Sequence, residues 1–361
     1  MDNSLLLLLV PQIIIAYGIT WGIRRWAMRH NVMDVPNARS SHTKVTPRGG
    51  GVAVVLTVTL SVIGLSLVTG TLITSEILAY LVGSMLIALV GFIDDVRSLS
   101  TVHRFGAQAL VALVMVYLLG YPQTFQVPLF GIVEVGIFGA VITVIWIVGL
   151  INAYNFMDGI DGIAGGNAVI VALGWLSLYG LSFNPNISVV VITIAIIGGC
   201  IGFLGHNWHP ARIFMGDVGS TFLGFTFAVL PLMLQESQVP SLTSAALLLW
   251  PFLFDTIVTF GHRMIQGKNV FAAHREHMYQ RLVIAGLPHA VVSSTYMVLS
   301  LMGVIFANAY LEGSRIILIA PLALGIGLAY VTYLFSTKYR FAIRPIEDDT
   351  MHHKTETLQQ G

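Results

Sequence analysis

Eleven apolar stretches, each close to the length needed to cross a lipid bilayer, dominate this sequence of 361 residues. They lie near residues 4–23, 51–70, 77–93, 105–121, 135–151, 163–183, 187–205, 218–234, 241–260, 290–310 and 316–335. Because 56% of the residues are apolar and only 10% are charged, a single soluble core could not bury them all, whereas a bilayer accepts apolar side chains on every side of a helix. The sequence therefore excludes a soluble globular protein and predicts a polytopic membrane protein.

The apolar stretches are continuous and do not alternate with polar residues, as the strands of a membrane barrel would. Helices are then the only elements that satisfy the backbone inside a bilayer, so we predict an all-α membrane bundle of about eleven transmembrane helices. The first stretch lacks a small-residue cleavage site and is expected to remain as a helix. We predict one transmembrane catalytic domain over residues 1–335 and a polar tail over residues 336–361, because no connection is long enough for a second core.

Positively charged residues are distributed unequally between the connections. With eleven spans, alternate connections fall on opposite sides of the membrane, and seventeen of the eighteen Lys and Arg residues fall on one side, as do all eleven histidines. Since Lys and Arg concentrate on the cytoplasmic side, we predict an external amino terminus and a cytoplasmic carboxyl terminus. The other connections are short and carry no recognisable chemistry, so the functional site is expected at the cytoplasmic face.

Overall charge and cysteine content exclude several other classes of protein. A formal net charge of +1 argues against nucleic-acid binding as the main function. Cys200 is the only cysteine and lies inside an apolar stretch, so neither a disulfide framework nor a thiolate metal site can form within one chain.

Carboxylates and amides form three clusters at the predicted cytoplasmic ends of helices. Asp94 and Asp95 follow the third apolar stretch, the segment 152–162 follows the fifth, and Asp217 precedes the eighth. Each cluster has a simple explanation when taken alone, because a solvated helix end or a helix cap also places carboxylates there. If the clusters converge, however, they supply the carboxylate and amide oxygens that Mg²⁺ prefers.

Spacing within the segment 152–162 supports this convergence. Its two amides and two carboxylates recur every three residues, which would place them on one face if the segment is helical. These residues are Asn152, Asn155, Asp158 and Asp161.

Basic and glycine-rich elements accompany the acidic clusters. Four cationic or titratable residues, Arg39, His42, Lys44 and Arg48, precede the glycines at 49–51, and further glycines surround the start of the sixth stretch. Free backbone amides at such positions favour phosphate, although glycine is also ordinary packing material in membrane helices. His274 and His277 lie three residues apart on a basic surface segment, which fits either a ligand site or attraction to anionic lipid. No third ligand at a familiar spacing accompanies this pair, which argues against a zinc site built on it.

Taken together, these motifs resemble the polyprenyl-phosphate N-acetylhexosamine-1-phosphate transferases, the membrane enzymes that begin several bacterial cell-surface polysaccharides. The matching segments are 34–42, 47–50, 94–95, 152–162, 207–220 and 274–281, and they follow one another in the same order. Residues 274–281 are most similar to the branch that initiates O-antigen with N-acetylated, often 6-deoxy, aminosugars. The resemblance implies that a UDP-N-acetylaminosugar and undecaprenyl phosphate react to give undecaprenyl-diphosphate sugar and UMP, at the cytoplasmic face of the bacterial inner membrane.

The same resemblance implies a role for each matching residue. Asp217 would bind Mg²⁺, or Mn²⁺ as an alternative, on the donor diphosphate, with Asn155 as a second or water-mediated ligand. Asp94 and Asp95 would position or deprotonate the lipid phosphate and would form the catalytic set together with Asp217. The remaining substrate-binding residues would be Lys44, Asp158, Asp161, Asn207, Phe214, His274 and His277, with Phe214 stacking on uracil.

An ion-coupled transporter is one alternative that the sequence leaves open, because Asp255 lies within the ninth apolar stretch, and a non-enzymatic scaffold is another. Transporters place such charges near the midplane, whereas the clusters here collect at one face, so we expect Asp255 to bond within the bundle near the connection 261–289; a sugar-binding role is the other option. The sequence does not identify the aminosugar or the polysaccharide, and it leaves the oligomeric state open, with a homodimer as one option.

Overall fold

The computed structural model describes residues 8–36, 41–42, 44–69, 74–127, 131–180, 187–237, 241–270, 272, 274–314 and 316–337. Within these residues the chain is mostly helical, and every predicted apolar stretch contains a helix. The helices are α1 (Leu9–Arg29), α2 (Val52–Thr69), α3 (Ser75–Arg97), α4 (Thr101–Leu119), α5 (Phe138–Phe156), α6 (Ile163–Trp175), α7 (Ile187–Asn207), α8 (Asp217–Val229), α9 (Ser241–Leu248), α10 (Trp250–Ile265), α11 (Met278–Ile284), α12 (His289–Leu311) and α13 (Ile316–Thr337). The polar tail predicted at 336–361 lies almost entirely outside the described residues.

Seven of the described helices are long and apolar enough to cross a membrane, and the count rises to eight if α9 and α10 form one broken span. These two helices meet at an angle of 82°. Two further apolar helices, Val52–Leu67 and Ile163–Leu178, are shorter. The chain is therefore a multi-span helical membrane protein, while the predicted total of eleven crossings and their orientation stay predictions.

Two short sheets depart from the all-α prediction. Strand β1 (Met33–Asp34) pairs antiparallel with β2 (Thr46–Pro47), and β3 (Thr124–Val127) pairs antiparallel with β4 (Gly131–Glu134). All four strands lie in connections between apolar stretches, where no bilayer length favours a helix. A sequence reading based on long apolar stretches therefore missed them.

Helices α7 and α8 form the centre of the bundle. In the most apolar stretch of each span, 78% of the residues are buried in Ile187–Asn207 and 89% in Asp217–Leu234, which begins with α8, compared with 11% in Ile316–Thr337. The core around them is apolar and aromatic, with Phe203 of α7 and Phe222 and Phe225 of α8 fully buried. Such burial fixes the ends of both helices, which is why side chains there can form a rigid site.

Contacts between helix ends bring polar residues from different helices to one end of the bundle. The carboxyl ends of α3, α5 and α7 meet the amino ends of α4, α6 and α8 there, as shown by the contacts described below. This arrangement matches the predicted convergence of the three acidic clusters.

Candidate active site

A cavity of about 360 Å³ opens at this end of the bundle. Its wall is polar, with five carboxylates, two amides of asparagine and several basic side chains. The lining residues are Asp34, Ser41, His42, Arg48, Asp95, Asn155, Asp158, Gly159, Ile160, Asp161, Asn207, Phe214, Gly216, Asp217, Gln280 and His289.

Asp95 holds the first turn of α8. Its Oδ1 accepts a hydrogen bond from the backbone amide of Asp217 at 3.0 Å, and its Oδ2 accepts one from the amide of Val218 at 3.1 Å. The first amides of a helix have no partner within the helix, so a carboxylate from α3 supplies what the helix itself lacks. Asp217 thus does not cap its own helix, and both oxygens of Asp95 serve to position it.

Arg104, at the start of α4, connects two of the carboxylates. Its Nη1 lies 2.8 Å from Oδ2 of Asp94 and 3.5 Å from Oδ2 of Asp217. The backbone amide of Leu99 also donates to Asp94 and fixes its other oxygen. A cation held between two carboxylates lowers their mutual repulsion and keeps them side by side.

Asn155, in the last turn of α5, contacts the same carboxylate from the opposite side. Its side-chain amide lies 2.9 Å from Oδ1 of Asp217 and 2.9 Å from the hydroxyl of Ser220. The carboxylate of Asp217 is therefore held by Asn155 from α5 and Arg104 from α4, while Asp95 from α3 accepts from its backbone amide. Three helices converge on this one residue.

The segment after α5 is a turn, so the helical condition under which residues 152–161 would share one face holds only as far as Phe156. Helix α5 ends at Phe156, and α6 begins only at Ile163. Gly162, with φ of 75°, caps α6 in the left-handed conformation that side chains disfavour. Asn152 lines the adjoining crevice instead of the cavity and donates to the side chain of Gln108.

Asp158 lies in this turn and faces the acidic cluster. Burial, followed by the nearby charges of Asp217 and Asp95, raises its pKa well above the usual range for a carboxyl group. The raised pKa favours the neutral carboxyl form of Asp158 next to two other carboxylates.

Asp161 lies at the other end of the turn and is surrounded by hydrogen-bond donors. His209 Nδ1 lies 2.7 Å from its Oδ2, to which the amide of Ala211 also donates at 3.1 Å, and His289 Nδ1 lies 3.4 Å from its Oδ1. Burial alone would raise the pKa of Asp161, but these contacts hold it below its usual value. Asn207 accepts from the amide of Gly162 and so fixes the neighbouring wall.

The glycines at 49–51 pack against the segment that leads into α8. The amide of Gly50 donates to Phe214, and that of Gly51 donates to Met215, so neither amide is free for phosphate. A Cβ on Gly51 would lie 2.3 Å from the Cα of Gly219, which explains the need for glycine there. Phe214 itself faces the cavity, with the ring of His42 4.8 Å away in an edge-on arrangement.

The second histidine of the pair at 274–277 serves to anchor its segment. Asp255 is fully buried and accepts from His277 Nδ1, from the amides of Met278 and Tyr279, and from the hydroxyl of Tyr296. The expectation that Asp255 bonds within the bundle near the connection 261–289 is confirmed. This network places the following residue, Gln280, in the cavity wall.

Most of the predicted site residues share the cavity, but some do not. Asp95, Asn155, Asp158, Asp161, Asn207, Phe214 and Asp217 all line it. Asp94 lies in an adjoining crevice beside Arg104. Lys44 is exposed, and neither it nor His274 or His277 lines the cavity.

The structure adds several residues that the sequence reading missed, namely Arg104, Ser220, Gln280, His209 and His289. Arg104 had a usable signal, because it lies ten residues after Asp94, at the start of the antiparallel neighbouring helix. His289 lies 128 residues from Asp161, and no local pattern connects them.

Comparison with known proteins matches residues 77–235 to the glycosyl transferase family 4 model. The chain is 34% identical over 292 residues to a probable undecaprenyl-phosphate N-acetylglucosaminyl 1-phosphate transferase of Bacillus subtilis, covering 80% of this chain and 79% of that protein. It is 31% identical to the decaprenyl-phosphate N-acetylglucosaminephosphotransferase of Mycolicibacterium smegmatis, over 76% of this chain and 74% of that protein. It is also 29% identical to a phospho-N-acetylmuramoyl-pentapeptide-transferase of Listeria monocytogenes, over 63% of this chain and 72% of that protein.

These relatives are sugar-phosphate transferases, so the comparisons do not support the alternative of an ion-coupled transporter. The matched family segment runs from α3 to the end of the α8 region and contains most of the carboxylates described above.

Proposed function

This chain belongs to the polyprenyl-phosphate N-acetylhexosamine-1-phosphate transferases, and on that premise we propose that it transfers an N-acetylaminosugar 1-phosphate from a UDP-sugar to undecaprenyl phosphate. The products are undecaprenyl-diphosphate sugar and UMP. The reaction would be the initiating step of O-antigen or a related cell-surface polysaccharide. We place it at the cytoplasmic face of the bacterial inner membrane, because a lipid acceptor requires a site at the membrane and a nucleotide donor requires cytoplasmic access.

The observation that carries this proposal is the meeting of Asp94, Asp158 and Asp217, from three separate helix ends, beside one cavity. Arg104 and Arg48 accompany them, with Arg48 Nε 3.9 Å from Oδ1 of Asp95. Phosphoryl transfer depends on positioning and charge stabilisation, and this arrangement provides acidic and basic groups for both.

The donor atoms near Asp217 fit Mg²⁺, with Mn²⁺ as the alternative. Asp217 and Asn155 would hold the ion, since carboxylate and amide oxygens are its preferred ligands and an Asn side chain can present either its oxygen or its nitrogen. Asp158 adds a further carboxyl group beside Asp217, and its pKa is raised by burial first and by the charges of Asp217 and Asp95 second. When bound, the ion supplies positive charge to the donor diphosphate.

The nucleotide would occupy the wall formed by Asp161, Asn207 and Phe214. The exposed face of Phe214 is suited to stacking on uracil, and such stacking contributes about 1–3 kcal/mol in single-stranded nucleic-acid complexes. Asn207 is itself fixed by the carbonyl of Ile213 and the amide of Gly162, which would keep this wall rigid.

The acceptor phosphate would lie near Asp94 and Arg104. A phosphate monoester loses its second proton near pH 6, so the lipid phosphate is mostly dianionic at neutral pH and gains little from a strong base. Asp94 would therefore orient the acceptor, while Arg104 reduces the repulsion between the two anionic substrates. An acceptor oxygen attacks the phosphorus of the sugar phosphate as the bond to UMP breaks, in one in-line step.

A covalent aspartyl-phosphate route is the second candidate mechanism. Incubating the protein with donor and Mg²⁺ alone separates the two routes. The single step predicts no stoichiometric UMP release without lipid acceptor, whereas one equivalent of UMP per protein would contradict it.

The proposed function is tested by mixing purified protein, undecaprenyl phosphate and Mg²⁺ with a panel of UDP-N-acetylaminosugars and measuring UMP. We expect UMP release with at least one donor, together with a lipid product that retains the sugar. Release of UMP with none of the donors would contradict the proposal.

A further inference from the structure

Asp161, His209 and His289 form a compact group at one side of the cavity. One ligand atom from each side chain lies within 4.8 Å of the other two. The carboxylate is 92% buried on its side chain, and the two imidazoles approach it through Nδ1 from different parts of the chain.

The second nitrogen of His289 has a backbone hydrogen-bond partner. His289 Nε2 lies 3.2 Å from the backbone carbonyl of Ser41, which can only accept, so Nε2 carries the proton. Where Nδ1 carries no proton, its lone pair faces Asp161 and accepts a hydrogen bond of 3.4 Å from the backbone amide of that residue, which an ion would replace. A backbone carbonyl on the distal nitrogen is the usual outer contact that orients a metal-binding histidine.

His209 completes the group from the segment between α7 and α8. Its Nδ1 contacts Oδ2 of Asp161, and 41% of its side chain is exposed. Without an ion the proton lies on Nδ1, between the ring and the carboxylate. If an ion binds Nδ1, that proton can move to Nε2 at the exposed edge, so the ring remains neutral and no further acid or base is required.

From this geometry we propose that Asp161, His209 and His289 bind a transition-metal ion of the Zn²⁺ class, at a site separate from the oxygen cluster around Asp217. Two imidazoles and one carboxylate suit Zn²⁺ or Co²⁺, whereas Mg²⁺ prefers oxygen alone. The cavity would therefore hold two cation sites of different chemistry.

The dimensions are compatible with a tetrahedral ion. Ligands at about 2.0–2.1 Å from such an ion lie roughly 3.3 Å from one another. The separation of 3.4 Å between His289 Nδ1 and Asp161 already matches this value. The contact of 2.7 Å from His209 would have to lengthen by a few tenths of an ångström, and its ring belongs to a partly exposed segment.

Occupation of this site would exclude the nucleotide, a consequence that rests on the proposed function. Asp161 and His289 line the same cavity as Asn207 and Phe214. An ion with a fourth ligand there would occupy the space assigned to the nucleoside, so metal and donor should weaken each other's binding by the same factor.

Titration with Co²⁺ alone tests the site, because tetrahedral Co²⁺ gives strong visible absorption bands. All variants are made in a background protein, the full chain carrying His352→Ala and His353→Ala, which lacks the two adjacent histidines of the tail. We expect one equivalent of Co²⁺ with tetrahedral bands, and a loss of affinity of roughly tenfold or more in His209→Ala and in His289→Ala. His262→Ala, at the exposed end of α10, is the matched control and should leave the affinity unchanged.

Equal Co²⁺ affinity in the background protein and in both variants, or absence of tetrahedral bands, would overturn the proposal. His289 begins α12, so melting temperatures without metal are needed to show whether each variant folds. If His289→Ala does not fold, His209→Ala alone carries the test.

Zn²⁺ should raise the melting temperature of the background protein but not that of His209→Ala. These measurements need no donor or lipid, so their failure is distinct from failure of the proposed transferase activity. Bands that persist at saturating UMP would contradict the exclusion of nucleotide.

Discussion

The carboxylate of Asp95 accepts the backbone amide of Asp217 at 3.0 Å, so the last turn of α3 holds the first residue of α8. The acidic pair at the end of α3 is therefore divided in its tasks. Asp94 faces Arg104, while Asp95 fixes the helix that presents Asp217.

This division predicts different results for the two carboxylates. Asp95→Ala leaves two buried amides without a partner, at a loss of about 1–3 kcal/mol each, and should lower both the melting temperature and transfer activity. Asp94→Ala should abolish most activity with a smaller change in melting temperature, because its partners Arg104 and Leu99 lie nearer to solvent. Thermal melting and UMP release on both variants make the comparison, and equal losses of stability would contradict it.

Arg104 is expected to support transfer through its charge and its geometry. Arg104→Gln should lower kcat/KM for the lipid phosphate by roughly 100-fold, since one stabilising donor in a phosphoryl or acyl transfer site is typically worth that much. Arg104→Lys should retain part of the activity, because the charge remains while the forked donor is lost. Arg97→Gln, an exposed arginine at the end of α3, is the control, and a similar loss there would indicate a general effect of charge.

Phe214 provides a separate test of donor binding. Phe214→Leu should weaken UMP binding by roughly 5–150-fold, as expected for loss of about 1–3 kcal/mol of stacking, while Phe214→Trp should preserve it. Equilibrium dialysis with labelled UMP measures this directly. An unchanged affinity of Phe214→Leu for UMP would contradict the binding of uracil at this wall of the cavity.

Gly51, just before α2, packs closely against Gly219 of α8, so a larger side chain at position 51 should disturb the packing of these two helices. Gly51→Ala would place a methyl group 2.3 Å from the Cα of Gly219, so α2 and α8 must separate. We expect a lower melting temperature and weaker Mg²⁺-dependent activity. Gly64 lies within α2, and a Cβ added there would have no neighbouring atom within 4 Å. Gly64→Ala should therefore have little effect on either property.

His274 predicts how stability responds to acid. Burial, followed by the charges of His277 and Arg263, lowers its pKa to about 4, compared with about 6.5 in the unfolded chain. The unfolded state therefore binds the proton first, so the stabilisation is fully present above about pH 6.5 and is lost as the pH falls towards 4. His274→Gln should show a smaller decrease in melting temperature between pH 7.5 and 5 than the unmodified protein, and an equal decrease would contradict this assignment. His30→Gln, an exposed control, should behave like the unmodified protein.

Residues at helix ends could be placed from the sequence because alternating apolar stretches fix the side of the membrane on which each end lies. This logic predicts that Asp94, Asn155 and Asp217 lie together, and the structure brings them within one network. It could not distinguish Asp94 from Asp95, because their difference depends on which carboxylate reaches the amides of α8.

Features that depend on tertiary contacts could not be predicted from the sequence. The spacing of Asp158 and Asp161 would suit a helix, but α5 ends at Phe156 and both residues lie in the turn before α6. The partners of Asp161, His209 and His289, come from the segment before α8 and from the start of α12, and only folding brings them near one another.

The central claim is that Asp217 lies at the centre of a phosphoryl-transfer site, and the most direct measurement is UMP release by Asp217→Asn in the presence of undecaprenyl phosphate, Mg²⁺ and the preferred UDP-aminosugar. The matched control is Glu76→Gln, an exposed acid at the opposite end of α3. We predict that Asp217→Asn remains folded but loses nearly all activity, whereas Glu76→Gln retains its activity. Equal UMP release by the unmodified protein and Asp217→Asn would contradict the account.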